Sequence, residues 1–141
     1  MTAKEYLQQL HKADVIINQR IQEKAALRAR LSSIGSFDYS KERVQTSLPE
    51  GANYEWQIVK IIGLENEIDS LLDDYAALKH KIIGEIHNMK KSDHIRLLYK
   101  KYVENKRLEL IAVEMNYTYQ YVRELHRYAL QEFETTYTNL H

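Results

Sequence analysis

The chain is expected to be all-α, with a long, coiled-coil-like N-terminal helical hairpin followed by a C-terminal helix-turn-helix domain. Three observations predict this. Only four glycines and one proline occur in 141 residues, and no stretch alternates apolar and polar residues for long, which disfavours strands. Two long stretches, 3–33 and 54–89, place apolar residues at steps of three and four. A third, LELIAVEMNYTYQYVRELHRYAL at 108–130, reads as two shorter helical runs broken at Asn116-Tyr117. The expected division is a hairpin and oligomerisation region at 1–91 with a loop at 35–53, a helix-turn-helix domain at 92–134, and a frayed tail at 135–141.

In the first long run Ala3, Tyr6, Leu10, Ala13, Ile17, Leu27, Leu31 and Ile34 share one heptad seam, with Arg20 and Lys24 as polar intruders. Thr2 followed by Glu5 predicts a reciprocal cap at its start. At about 1.5 Å per residue the helix would reach roughly 45 Å, too long for one compact core, so it must lie along a partner. Residues 35–53 lose the period and collect Gly35, Ser36, Ser40, Thr46, Ser47, Pro49 and Gly51, the composition of a long loop. Within it, Arg43-Val44-Gln45-Thr46-Ser47 reads either as a packed connector or as a partner contact.

In the second long run Ile61, Leu64, Ile68, Leu71, Tyr75, Leu78, Ile82 and Met89 form a seam interrupted only at Glu85. Ile58, Ile62, Leu72, Ile83 and Ile86 widen the apolar face, which predicts contact with more than one neighbour. A hairpin of the two long helices answers most of this, and pairing of two hairpins into a four-helix bundle would cover the surplus. Lys90-Lys91 suits the negative end of the second helix dipole. Ser92-Asp93 is then expected to cap a third helix carrying Ile95, Leu98, Tyr99 and Tyr102, with Asn105 as a turn residue after it.

Within 108–130 each residue type has a physical reason. Two helices crossing steeply need a small side chain at closest approach, which Ala112 supplies, while Ile111 and Met115 fill the angle. Asn116 tolerates the left-handed backbone that stops the first helix. Tyr117 is expected to wedge inward, and Thr118 to cap the second helix by accepting a free amide N–H. Val122 and Leu125 point to the core. By difference Tyr119, Gln120, Arg123, Glu124 and Arg127 lie outside, with Tyr121 at the margin.

That arrangement suits double-stranded DNA. Placed in the major groove, Tyr119, Gln120, Arg123, Glu124 and Arg127 become base-reading candidates, since arginine matches guanine and glutamine matches adenine. Lys100, Lys101, Lys106, Arg107 and Thr118 are the phosphate candidates. Charge is unevenly spread. The chain is neutral overall, with 20 basic and 20 acidic residues. Between 79 and 107, nine lysines and arginines face three acids, whereas between 108 and 134 five acids face two arginines. Because counterion release sets non-specific affinity, one copy is expected to hold DNA weakly and to need a dimer, a higher homo-oligomer or another partner. Tyr117, Tyr119, Tyr121 and Tyr128 suggest single-strand stacking, but Tyr117 and Tyr128 are expected in the core.

Other classes find little support. There is no cysteine, so no disulfide framework or thiolate metal site. His80, His87 and His94 recur at sevens rather than the ligand spacing of four and are expected on the polar side, so no metal or other cofactor is anticipated. No glycine-rich phosphate loop, G-x-S-x-G elbow or paired carboxylate framework appears, and no enzymatic activity is expected. The apolar runs are too short for a membrane span or a signal peptide.

The run 97–130 resembles the C-terminal, region-4 promoter-reading domain of sigma-70-type factors, through Lys101-Tyr102, Leu110-Ile111-Ala112, Val122-Arg123 and Ala129-Leu130. Arg107 departs from that pattern, standing where relatives place a capping hydroxyl. The chain as a whole is similar to small phage proteins of the ArpU/RinA type, regulators of late phage genes. The likeness runs through MTAKEYL at 1–7, RVQTS at 43–47, IAVEMNYTY at 111–119 and the Leu125-His126…Ala129-Leu130 run. The resemblance implies transcription regulation in the cytoplasm of a bacterial host, with RNA polymerase as a further partner. Nothing in the chain looks like the other sigma domains, so it would act with polymerase already on the promoter or through a partner. Two alternatives stand beside it: a component of DNA packaging similar in layout to small terminase subunits, and a helical protein-interaction module without DNA.

Overall fold

Thr2 Oγ1 accepts the Glu5 N–H at 3.2 Å while a Glu5 carboxylate oxygen accepts the Thr2 N–H at 3.4 Å, the expected reciprocal cap. The helix it opens, α1 (Ala3–Gly35), is the first of five in a computed structural model that describes residues 1–35 and 50–137. The others are α2 (Glu50–His87), α3 (Ser92–Leu98), α4 (Leu108–Met115) and α5 (Tyr119–Thr136). A π-helical turn over Tyr99–Val103 continues directly from α3. Among the described residues there is no strand, and no helix is long and apolar enough to cross a membrane.

Several boundaries differ from expectation. Helix α2 begins at Glu50 rather than 54, with Gly51 in its first turn. The rest of the expected loop, including 43–47, lies outside the described residues. At its other end α2 stops at His87, before Met89. There the Met89 N–H bonds the Ile86 carbonyl at 3.1 Å, a tightened last turn that swings Met89 into the core. Ser92-Asp93 does not cap α3. The N-cap position is Lys91, without a side-chain bond, and Ser92 is already helical. Asp93 is engaged elsewhere. Helix α5 runs past 134, and the Tyr137 hydroxyl donates to the Glu85 carbonyl at 2.7 Å, so 135–137 are anchored rather than frayed. Residues 138–141 lie outside the described part.

The chain forms two compact units, each taking part of both long helices: Met1–Asp14 with Asp74–His141, and Val15–Asp73. This division differs from the expected boundary at 91. In the first unit Leu7 and Leu10 of α1 and Ile82 and Ile86 of α2 are as fully buried as Leu97, Leu98, Ile111, Val122 and Phe133. Short helices such as α3 and α4 have too little apolar area to close a core alone, so the ends of the long helices complete it. Leu7 lies off the predicted seam and is buried because this core meets α1 over a wider arc than a two-stranded seam would.

The second unit keeps to the seam. Ile17, Ile61, Leu64 and Ile68 are buried. The polar intruders have partners on α2: Arg20 reaches Glu67 at 3.1 Å, and Lys24 reaches Glu65 at 3.7 Å. Arg28 also pairs with Glu65, whose carboxyl it holds below the usual range. Solvated pairs of this kind add little stability and chiefly fix register. Ile62 and Leu72, two of the residues expected to widen the apolar face, are exposed, as are Trp56 and Val59.

Candidate nucleic-acid interface

The segment that carries the predicted base-reading residues is shaped by two left-handed asparagines. Asn105, at φ 56°, turns the chain after the π-helical turn, and Asn116, at φ 60° and ψ 38°, ends α4. Its own N–H bonds the Val113 carbonyl at 3.2 Å, and the Tyr117 N–H bonds that of Ala112 at 3.0 Å. Ala112, Ile111 and Met115 are buried as expected. Arg107 holds the N-cap position of α4 with no side-chain cap. Thr118 caps α5, its Oγ1 accepting the Tyr121 N–H at 3.1 Å.

Tyr117 is half-buried rather than an inward wedge. Its hydroxyl donates to Asp93 Oδ2 at 2.8 Å, and its ring meets that of Tyr121 edge-on at 4.8 Å. Arg96 donates to the other Asp93 oxygen at 2.6 Å. The Tyr117 hydroxyl, then Arg96, hold the Asp93 carboxyl below its ordinary range, and the same bond raises the Tyr117 phenol. The polar tip of Tyr117 explains its position: it reaches a charged acceptor at the rim, which a fully inserted ring would forfeit.

Helix α5 is divided cleanly. Val122, Leu125, Ala129 and Phe133 are buried along one side. Gln120, Arg123, Glu124 and Arg127, spaced i, i+3, i+4 and i+7 on the opposite side, are exposed and line a common hollow. Tyr119 is exposed too, with the Arg123 guanidinium 5.7 Å from its ring centre. Among the described residues neither arginine forms an ion pair. Tyr128, expected in the core, is 51% exposed. It falls outside the 122/125/129/133 stripe, and Arg127 packs on it, 5.1 Å from the ring centre.

The phosphate candidates do not behave alike. Lys100 Nζ donates to Glu114 Oε1 at 2.7 Å, and Lys106 Nζ to both Glu114 oxygens at 2.9 and 3.0 Å. Lys100 first, then Lys106, hold the Glu114 carboxyl below its usual range. Lys101 makes no ion pair among the described residues, and Arg107 is exposed. Thr118 spends an oxygen lone pair on its cap but keeps a hydroxyl proton to donate.

Three residues that the sequence does not single out shape this region. Glu114 is one; no helical spacing links it to its lysines. Glu132 is another: one of its oxygens takes the Lys90 N–H at 2.9 Å, and the other lies 2.6 Å from Nδ1 of His94. His94 is buried, not on the polar side as expected. Its spacing to Leu97 and Leu98, three and four residues on, is the signal that places it there. The third is His126, whose Nε2 lies 2.7 Å from the Tyr102 hydroxyl. Burial, with Lys101 and Lys4 nearby, lowers its pKa to about 4, so the ring is neutral and the buried phenol donates to it. Among the described residues no three histidine or carboxylate side chains converge as a metal site.

Compared with protein-family models, with curated proteins and with solved structures, the chain matches none.

Proposed function

We propose that this chain is a sequence-specific DNA-binding transcription regulator of phage origin. In this reading the long helices form an N-terminal hairpin that assembles two or more copies, and α4, the Asn116 turn and α5 act as a sigma-70 region-4-like helix-turn-helix. The single observation that carries it is the exposed side of α5, where Gln120, Arg123, Glu124 and Arg127 stand together, opposite the side sealed into the core. An element about to enter a groove needs such a face, and these residue types suit base edges. Arginine pairs bidentately with guanine, glutamine with adenine, and glutamate accepts from cytosine. The role requires no catalysis. RNA polymerase, already at the promoter, is the proposed second partner.

The test is in vitro selection of bound duplexes by the purified protein, then anisotropy on the selected site and on mixed-sequence DNA. Arg123→Ala should erode the preference between the two by about 1–3 kcal/mol per lost base contact. No selected site, with equal weak binding to every duplex, would end the sequence-specific reading.

A second reading is a helical assembly or packaging component. The exposed Trp56, Val59 and Ile62 favour it, since large side chains of this kind on one helix suit contact between copies. Mass by light scattering separates the two: a dimer fits the regulator, a ring the packaging component.

A further inference from the structure

The sequence assigns α1 to assembly alone, but its first turns lie beside the α3 end of the same compact unit and share a surface hollow with it. Gln8 and His11 of α1, Lys101 and Tyr102 of the π-helical turn, and Asn105 line that hollow, of about 150 Å³. Lys4, Gln8 and His11 follow one another at i, i+4 and i+7, so they form one polar stripe along α1.

We propose that this hollow is a phosphate site, and that Lys101, with Lys4, Gln8 and His11 of α1, grips the DNA backbone beside the groove that α5 enters. The inference rests on the DNA-binding reading above and deepens it.

Four observations carry the inference. The lining includes no carboxylate, whereas the neighbouring lysines, Lys100 and Lys106, are both held by Glu114. Lys101 and Lys4 form no ion pair among the described residues, so their charge is available to an anion. The donors present are of the kinds that contact phosphate oxygens: an ammonium, two side-chain amides and an imidazole. Finally, the hollow adjoins α5. Tyr102, part of its lining, bonds His126, which follows Arg123 by one helical turn and immediately precedes Arg127. Lys101 and Lys4 are also the two charges that, after burial, lower the His126 pKa, in keeping with a shared positive field beside it. A major groove is about 12 Å wide, so a strand bordering it lies within reach of a flank one turn from the reading side chains.

The test measures the salt dependence of full-length protein binding to a mixed-sequence duplex, with Lys4→Gln, Lys101→Gln and the double variant. Lys12→Gln, on α1 but neither in the lining nor among the charges acting on His126, is the comparison. Each of the first two changes should flatten the slope of log K against log salt by about 0.9, the double by about twice that, with unchanged thermal midpoints. Lys12→Gln should leave the slope close to wild type. Wild-type slopes in Lys4→Gln and Lys101→Gln, while the parent protein binds, would overturn the site and leave the DNA reading intact. Equal flattening by Lys12→Gln would overturn it in favour of diffuse charge. Absence of parent binding to the duplex at low salt would overturn both.

Discussion

The ammonium of Lys100 sits 2.7 Å from Glu114 Oε1, and Lys106 reaches the same carboxylate, so one acid on α4 engages two of the lysines expected to meet phosphate. Both lysines are thereby engaged rather than left unpaired. On the proposed DNA-binding reading Glu114 would act as a brake on non-specific binding, since a phosphate would have to displace it to gain either lysine.

Removing that brake should be visible. Glu114→Gln is expected to tighten binding to mixed-sequence duplex severalfold at low salt and to steepen the salt slope by about 0.9 for Lys100, Lys106 keeping Glu104 at 3.5 Å. Anisotropy titrations at several salt concentrations measure both. An unchanged slope would mean that Lys100 and Lys106 face away from bound DNA.

His126 predicts a pH dependence. Its pKa is lowered to about 4 in the fold, by burial first and then by Lys101 and Lys4, against an ordinary value of 6.5. The unfolded chain therefore binds more protons as pH falls through this window, and stability declines from about pH 6.5 down to about 4. Partial exposure screens the effect, leaving on the order of 1–2 kcal/mol. In urea melts at pH 7 and pH 4.5, His126→Gln should lose less stability on acidification than the wild type.

Glu132 holds a buried partner. Burial opposes its charge, but the Lys90 N–H and His94 outweigh that and keep the carboxyl below its usual range. Glu132→Ala leaves a buried imidazole and a backbone N–H without an acceptor, an expected loss of about 1–3 kcal/mol in denaturant melts. Glu134→Ala, an exposed acid two residues on, should cost little by comparison.

Phe133 is fully buried, with Tyr6 of α1 6.0 Å away and Tyr137 4.9 Å away between ring centres. Phe133→Ala should cost about 3–5 kcal/mol. Because the same side chain joins α5 to the start of α1, probes on both should report one cooperative transition. Early melting of α1 residues 3–14 in hydrogen exchange, with α5 intact, would contradict that shared core.

What the sequence by itself determined was everything that depends on neighbours along the chain. The helical periods, the Thr2–Glu5 and Thr118 caps, the left-handed turns at Asn105 and Asn116 and the division of α5 into a sealed and an exposed side are local. They follow from backbone geometry and the 3.6-residue repeat, so residues a few positions apart suffice to specify them. Only the tertiary structure decided which polar groups meet across helices. Glu114 claims Lys100 and Lys106, Glu132 holds His94, Tyr117 finds Asp93, and Leu7 enters a core with Ile86 and Phe133. Such pairings depend on how helices distant in the chain are brought together, and a charge carries no mark in sequence of the partner that will meet it. The identities of the residues exposed on α5 were thus legible in advance, while which lysines would be left unpaired was not.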